Sequence, residues 1–243
     1  MTPVMALPVL LLLIVAVAVV VLVLRYGSEG RRTKRALAAV TAARPGWTSF
    51  AVPSGPGLAQ RYRHRYPFDG PNPVFRDLMY GPVPGGAQAE VFHFGTTYWH
   101  AGSPVTAGWT VAVVVHPRPL PAVLVQPGDN ALPPGWPPGP GRTYDAAGSG
   151  PLWAGLRGYA LDPQAADALF TPDVLGRTRA LGLDWRLEGR TAIAFAPGHR
   201  PPRAMLELVD QLSRFAAQLP AEALWAAAGQ PDPWSGPSVE QPA

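Results

Sequence analysis

Two histidines seven residues apart, His93 and His100, with Glu90 just upstream, form the one grouping whose residue types could bind a metal or relay a proton. A tight turn near Gly95–Thr97 would let the two rings approach across a hairpin. A continuous strand over 87–100 would instead send odd and even positions to opposite faces. A metal site needs three or four ligands, and Glu90 is the only carboxylate close by, so no metal and no cofactor is expected here. Asp129-Asn130 lies in a Pro-rich stretch and reads as turn chemistry. Phe92, Phe94, Tyr98 and Trp99 alternate as strand aromatics do when they form core or cross-strand pairs.

The remaining chemistry is defined by what is missing. The 243 residues include no Cys, which excludes a thiolate nucleophile, a disulfide framework, an iron–sulfur cluster and Cys-ligated zinc. There is no G-x-S-x-G, S-x-x-K, H-E-x-x-H, G-x-G-x-x-G after a strand, or EF-hand loop. The Pro- and Gly-rich segment 126–141 has the glycines of a phosphate loop but not its Lys-Ser/Thr end, and it reads as a surface loop anchored by Trp136. No catalytic residue is assigned.

The elements that would position these residues are partly legible. Ala87–Phe94 and Trp109–Val115 read as strands joined by the Gly-containing Ala101–Gly108 connection, and Ala122–Val125 and Leu156–Leu161 as shorter ones. Gln60–Tyr66 alternates arginines with Tyr62, His64 and Tyr66, which predicts an edge strand with a solvated basic face. Asp162-Pro163 and Thr171-Pro172 each place a capping side chain before a proline, the start signal of a helix. Asp184–Phe195 reads as a hairpin turning at Glu188-Gly189-Arg190. Over Pro201–Leu219 the apolar residues recur at spacings of three and four, which predicts an amphipathic helix, and a short helix follows within Pro220–Gly229. Ser28–Ala43 reads as a helix stopped by Arg44-Pro45-Gly46, and Trp47–Gly57 as a loop.

The N-terminus carries a different signal. Val4–Leu24 is 21 residues without a charge, sixteen of them Leu, Val or Ile, and a helix of that length reaches roughly 30 Å, the thickness of a bilayer core. No basic residue precedes the run and no small-residue cleavage site ends it, which favours an uncleaved anchor over a signal peptide. Arg25, Arg31, Arg32, Lys34 and Arg35 follow within eleven residues, so the positive-inside rule predicts a single pass with the N-terminus outside and the C-terminal domain cytoplasmic. The same five could meet anionic headgroups at about 1 kcal/mol each. With Glu29 they supply the entire net charge of +4; residues 36–243 are formally neutral, which argues against a nucleic-acid partner.

The order of these features carries a resemblance. Arg61–Phe68 leads to a Pro-Phe pair; Leu78-Met-Tyr-Gly81, the aromatic Val91–Phe94, Leu120-Pro121, Gly158-Tyr159 and Leu169-Phe-Thr-Pro172 follow. The pattern, over about residues 4–196, resembles uncharacterised single-pass membrane proteins of high-GC actinobacteria. It implies no activity and no functional residues.

Four regions are expected: a transmembrane anchor at 1–24, a basic juxtamembrane helix or linker at 25–46, an α+β domain at 47–228, and a disordered tail at 229–243. The expected fold class is α+β: an N-terminal transmembrane helix, then an antiparallel sheet of about six to eight strands with helices packed on one face. Two functions compete. One is a membrane-tethered, non-enzymatic interaction domain with a protein partner, whose surface would include Trp136, Tyr144 and Trp153. The other is a small-molecule- or metal-binding domain, even a catalytic one, built on His93 and His100. Absence of motifs favours the first.

Overall fold

The structure, a computed structural model, describes residues 14–17, 30–51, 61–62, 68, 72–100, 102–127 and 141–226. Nine strands form one sheet: β1 Thr48–Phe50, β2 Val74–Pro82, β3 Gln88–His100, β4 Ser103–Val115, β5 Val123–Pro127, β6 Arg142–Tyr144, β7 Leu156–Ala160, β8 Asp184–Glu188 and β9 Thr191–Pro197. Their spatial order is β1-β2-β3-β4-β9-β8-β5-β7-β6. Every neighbouring pair is antiparallel. The helices are α1 at 30–42, α2 Ala146–Ser149, α3 Pro163–Leu169, α4 Pro172–Leu181, α5 Pro202–Ala217 and α6 Ala221–Ala226.

One part of the expected fold is corrected. Among the described residues no helix is long and apolar enough to cross a membrane. A span needs about 20 apolar helical residues, and of Val4–Leu24 only the helical residues 14–17 are described; the rest of the run lies outside the described residues. The sheet also exceeds the expected strand count. β1 falls in a segment read as loop, β6 borders the Pro-rich stretch, and β2 carries Asp77, Gly81 and Pro82, all poor strand formers. Residues 61–62 are helical, not the start of a strand, and 63–67 lie outside the described residues, as do Asp129-Asn130 and the tail at 229–243. Ala101–Gly108 is mostly strand: β3 and β4 run opposite each other from Ala89↔Val114 to His100↔Ser103.

The sheet is buried on both sides, by different means. Period-two alternation sends Met79, Val91, Ala112, Val114, Trp185 and Leu187 to the face covered by helices. There Met205, Leu208, Val209, Leu212 and Phe215 of α5 pack on β4, β3 and β9, and the Trp185 and Phe215 rings lie 4.9 Å apart. Each such side chain contributes about 1.5–3 kcal/mol by leaving water. The opposite face is aromatic: Phe68 is surrounded by Tyr62, Phe75, Phe92, Phe94 and Phe195, at centroid distances of 4.9–6.0 Å.

Local chemistry fixes the helix ends. Asp162 accepts from the backbone N–H groups of Gln164 and Ala165, and Thr171 from that of Val174, each with proline at the first position of the helix that follows. Gly182 closes α4 in the left-handed conformation that glycine adopts without strain. α1 is tied to α5 by Arg44 Nη2 to Asp210 Oδ1 at 2.5 Å, and the Arg44 guanidinium lies over the Trp47 ring.

Candidate functional site

The β3–β4 hairpin runs on past the start of α5, and the helix-side face of the sheet opens there into a cavity of about 550 Å³. Its floor is the cross-strand pair Gly95↔Gly108, where two missing side chains leave backbone alone. Around it stand Asn72, Arg76, His93, Thr97, Thr106 and His199. Among the described residues that line it there is no Asp or Glu.

A β-bulge builds one wall. β2 and β3 pair in register up to Arg76↔His93 and resume at Met79↔Val91, so Asp77 and Leu78 together oppose Phe92. Asp77 takes the left-handed conformation, with φ of 55°. Such a conformation costs a non-glycine residue about 1–3 kcal/mol, with Asp among the more tolerant types. In unbroken alternation Asp77 would share the aromatic face with Phe75. The bulge gives that place to Leu78 and turns Asp77 towards His93, whose Nδ1 lies 3.0 Å from its Oδ2.

Hydrogen-bond chemistry then settles what His93 does. Its Nε2 is 3.0 Å from the Arg200 carbonyl oxygen, which only accepts, so Nε2 carries a hydrogen. A single further proton is shared between Nδ1 and Asp77, and the pair is neutral overall. With both nitrogens engaged, His93 has no free lone pair with which to act as a base or bind a metal. Thr110 works beside it: its hydroxyl donates to the Gly198 carbonyl at 2.9 Å and accepts from the Arg200 N–H at 2.9 Å. Gly198 N–H donates to the Gly108 carbonyl at 2.8 Å. Four bonds therefore stitch residues 198–200, between β9 and α5, onto the hairpin.

His199 is held within that stitched segment. Its ring stacks on His93 at 4.6 Å and 15°, and it overlies Gly108 so closely that a Cβ there would come within 3.0 Å of Nε2. Burial, then the nearby His93 and Arg76, lower its pKa from the ordinary histidine value, with Asp77 opposing. The cavity is pre-shaped and lined with cationic and hydrogen-bonding groups. Among the described residues that line it, no hydroxyl nucleophile is hydrogen-bonded to a histidine or carboxylate base. Among the described residues no three His, Cys, Asp or Glu come together as metal ligands.

The residues singled out in the sequence are scattered. β3 is continuous through residues 93 to 100, so no turn near Gly95–Thr97 brings the two histidine positions together. Glu90 pairs with Arg61 and lies away from the cavity. Tyr144 and Trp153 are buried, 3% and 4% exposed, and are corrected as surface candidates: their rings stack at 5.2 Å and both meet Phe170 edge-on. Burial and Asp167 push the Tyr144 hydroxyl up to about 12. Trp136 and Arg25 lie outside the described residues; Arg31, Arg32, Lys34 and Arg35 are exposed on α1. Asp77, Arg76 and His199 carry no motif that the sequence alone makes visible. The signal available was Val74-Phe-Arg-Asp-Leu-Met79, where two adjacent apolar residues after an aspartate break the strand alternation.

Neither a protein-family profile nor a curated protein matches the sequence. The fold is similar to that of the mycobacterial trehalose monomycolate transport factor A, TtfA, with a TM-score of 0.52 over 77% of this chain and 92% of that one, at 11% sequence identity.

Proposed function

We propose that this chain is a non-catalytic accessory factor of a transport process at the cell membrane, acting through contacts with a protein partner on the cytoplasmic side. The observation that carries the reading is the likeness in fold to a transport factor over most of both chains. The site geometry supports it, because His93 spends both ring nitrogens, one on Asp77 and one on the Arg200 carbonyl, in holding residues 198–200 in place. The four exposed basic residues of α1 supply a surface suited to anionic lipid headgroups.

Depletion of the chain in its native host, with envelope lipids profiled in inner and outer fractions, tests the reading. Accumulation of an envelope lipid in the inner fraction, together with reproducible crosslinks to a membrane protein, supports it. An unchanged lipid distribution, with turnover of a metabolite by the purified chain, overturns it.

A further inference from the structure

We infer that the cavity beside α5 is a binding site for a phosphate-bearing ligand, anchored by Arg76. Arg76 is exposed at the cavity wall and makes no hydrogen bond or ion pair among the described residues. Asp77, its neighbour in sequence, is paired with His93 and so does not neutralise that guanidinium. His199, stacked on His93, has ring nitrogens without a hydrogen-bond partner among the described residues. Across the floor, the Thr97 and Thr106 hydroxyls lie 3.2 Å apart at the rim, and only one of them can donate to the other.

The donors therefore come from three directions: the guanidinium fork, an imidazole N–H and a threonine hydroxyl. That arrangement suits a tetrahedral oxyanion with several oxygens better than a flat carboxylate, and the charged contact is the strongest of the three. At Gly95 the missing side chain leaves strand backbone open to the body of a ligand, while His199 covers Gly108. The volume, about 550 Å³, leaves room for more than a bare phosphate, and Val74, paired with Gly95 on the same face, offers apolar contact to the remainder. Either a soluble phosphate ester or the headgroup of a phospholipid has this chemistry. The site is separate from the basic face of α1 and does not depend on the accessory reading.

Calorimetric titration of the purified full chain in nonionic detergent tests the inference, with inorganic phosphate, with glycerol 3-phosphate, and with micelles doped with phosphatidylglycerol or phosphatidylcholine. Saturable binding is expected, accompanied by a shift of the His199 imidazole resonances. Arg76→Gln should weaken it by about tenfold or more, and Arg76→Lys by less, since charge remains but the fork is lost. Arg76 is exposed, so both variants should keep the wild-type unfolding midpoint. Replacing Arg31, Arg32, Lys34 and Arg35 together by Gln should leave affinity unchanged. Tighter binding of glycerol 3-phosphate identifies a soluble ester, and tighter binding of phosphatidylglycerol micelles a headgroup; both uphold the shared chemistry. No saturable binding, equal affinity in Arg76→Gln, or loss only on neutralising α1 overturns it.

Discussion

Asp77 and Asp184 are both buried in the same sheet, 7% and 3% exposed, and each has a carboxylate oxygen, Oδ1, without a hydrogen-bond partner among the described residues. Their surroundings differ. Asp77 faces the helix side at a bulge and meets a histidine that is itself fastened to a backbone carbonyl. Asp184 stands opposite Phe195 in β9, on the aromatic side, and burial alone pushes its pKa up to about 8. The same side chain thus holds a segment in place where a partner shares its proton, and is held in its neutral form where no partner does. One face of the sheet is polar by construction at its open end. The other holds Asp184 neutral, and holds Glu188 by pairing it with the buried Arg186 at 3.1 Å.

Removing the partner from the first aspartate should have the largest effect. His93→Ala strands Asp77 and frees the Arg200 carbonyl, and should cost about 3–5 kcal/mol in denaturant unfolding. Asp77→Asn should cost less, because the amide N–H can donate to Nδ1 while Nε2 keeps its bond to the Arg200 carbonyl.

The second aspartate should show itself through pH. Between the ordinary aspartate range and about 8 the unfolded chain is ionised at Asp184 while the folded chain keeps its proton. The folded state therefore binds more protons, and the contribution of this group to stability falls as pH rises, by about 1.4 kcal/mol per unit, levelling off above the folded value. In Asp184→Asn that slope should vanish, so the gap between variant and wild type widens from pH 5 to pH 7. A constant gap would mean that Asp184 is ionised in the folded protein.

Smaller effects probe the stitching. Thr110→Val keeps the shape but leaves the Arg200 N–H without its acceptor and the Gly198 carbonyl without its donor, both part-buried, and should cost about 1 kcal/mol. Gly108→Ala should change stability by less than about 0.5 kcal/mol, because the atom it meets is the far end of an exposed His199 side chain. It should nonetheless displace the ring, read as a change in the His199 imidazole NMR shifts.

The two regions also differ in how far the sequence reveals them. Asp162-Pro163, Thr171-Pro172 and the spacing of Met205, Leu208 and Leu212 are local signals, and the elements they announce are present. The hairpin around Gly189 is equally local. The cavity is not. His93 was in view, but its partner lies 16 residues away at a left-handed aspartate, and its second contact 107 residues away. Strand periodicity assigns residues to faces only while the register is unbroken, and here the bulge is what makes the site. Tyr144 and Trp153 mislead for a related reason: a loop-rich neighbourhood suggests exposure, whereas pairing of β6 with β7 and packing on Phe170 bury both.

The sheet order has a consequence for how the cavity comes into being. β3 and β4 are neighbours in sequence and can zip as a hairpin, so the Gly95↔Gly108 floor forms from local contacts. β9 reaches β4 only after β5 to β8 have been accommodated, and Thr110 must wait for Gly198, 88 residues further on. Pairings of such sequence separation form late, because the loop-closure entropy precedes the contacts that offset it. The His199 wall is thus among the last features to assemble, and occupancy of the cavity would report that the whole sheet has closed. In refolding kinetics the stacked imidazoles should acquire their native resonances with the slowest phase, after Phe75, Phe92 and Phe94 of β2 and β3 have come together.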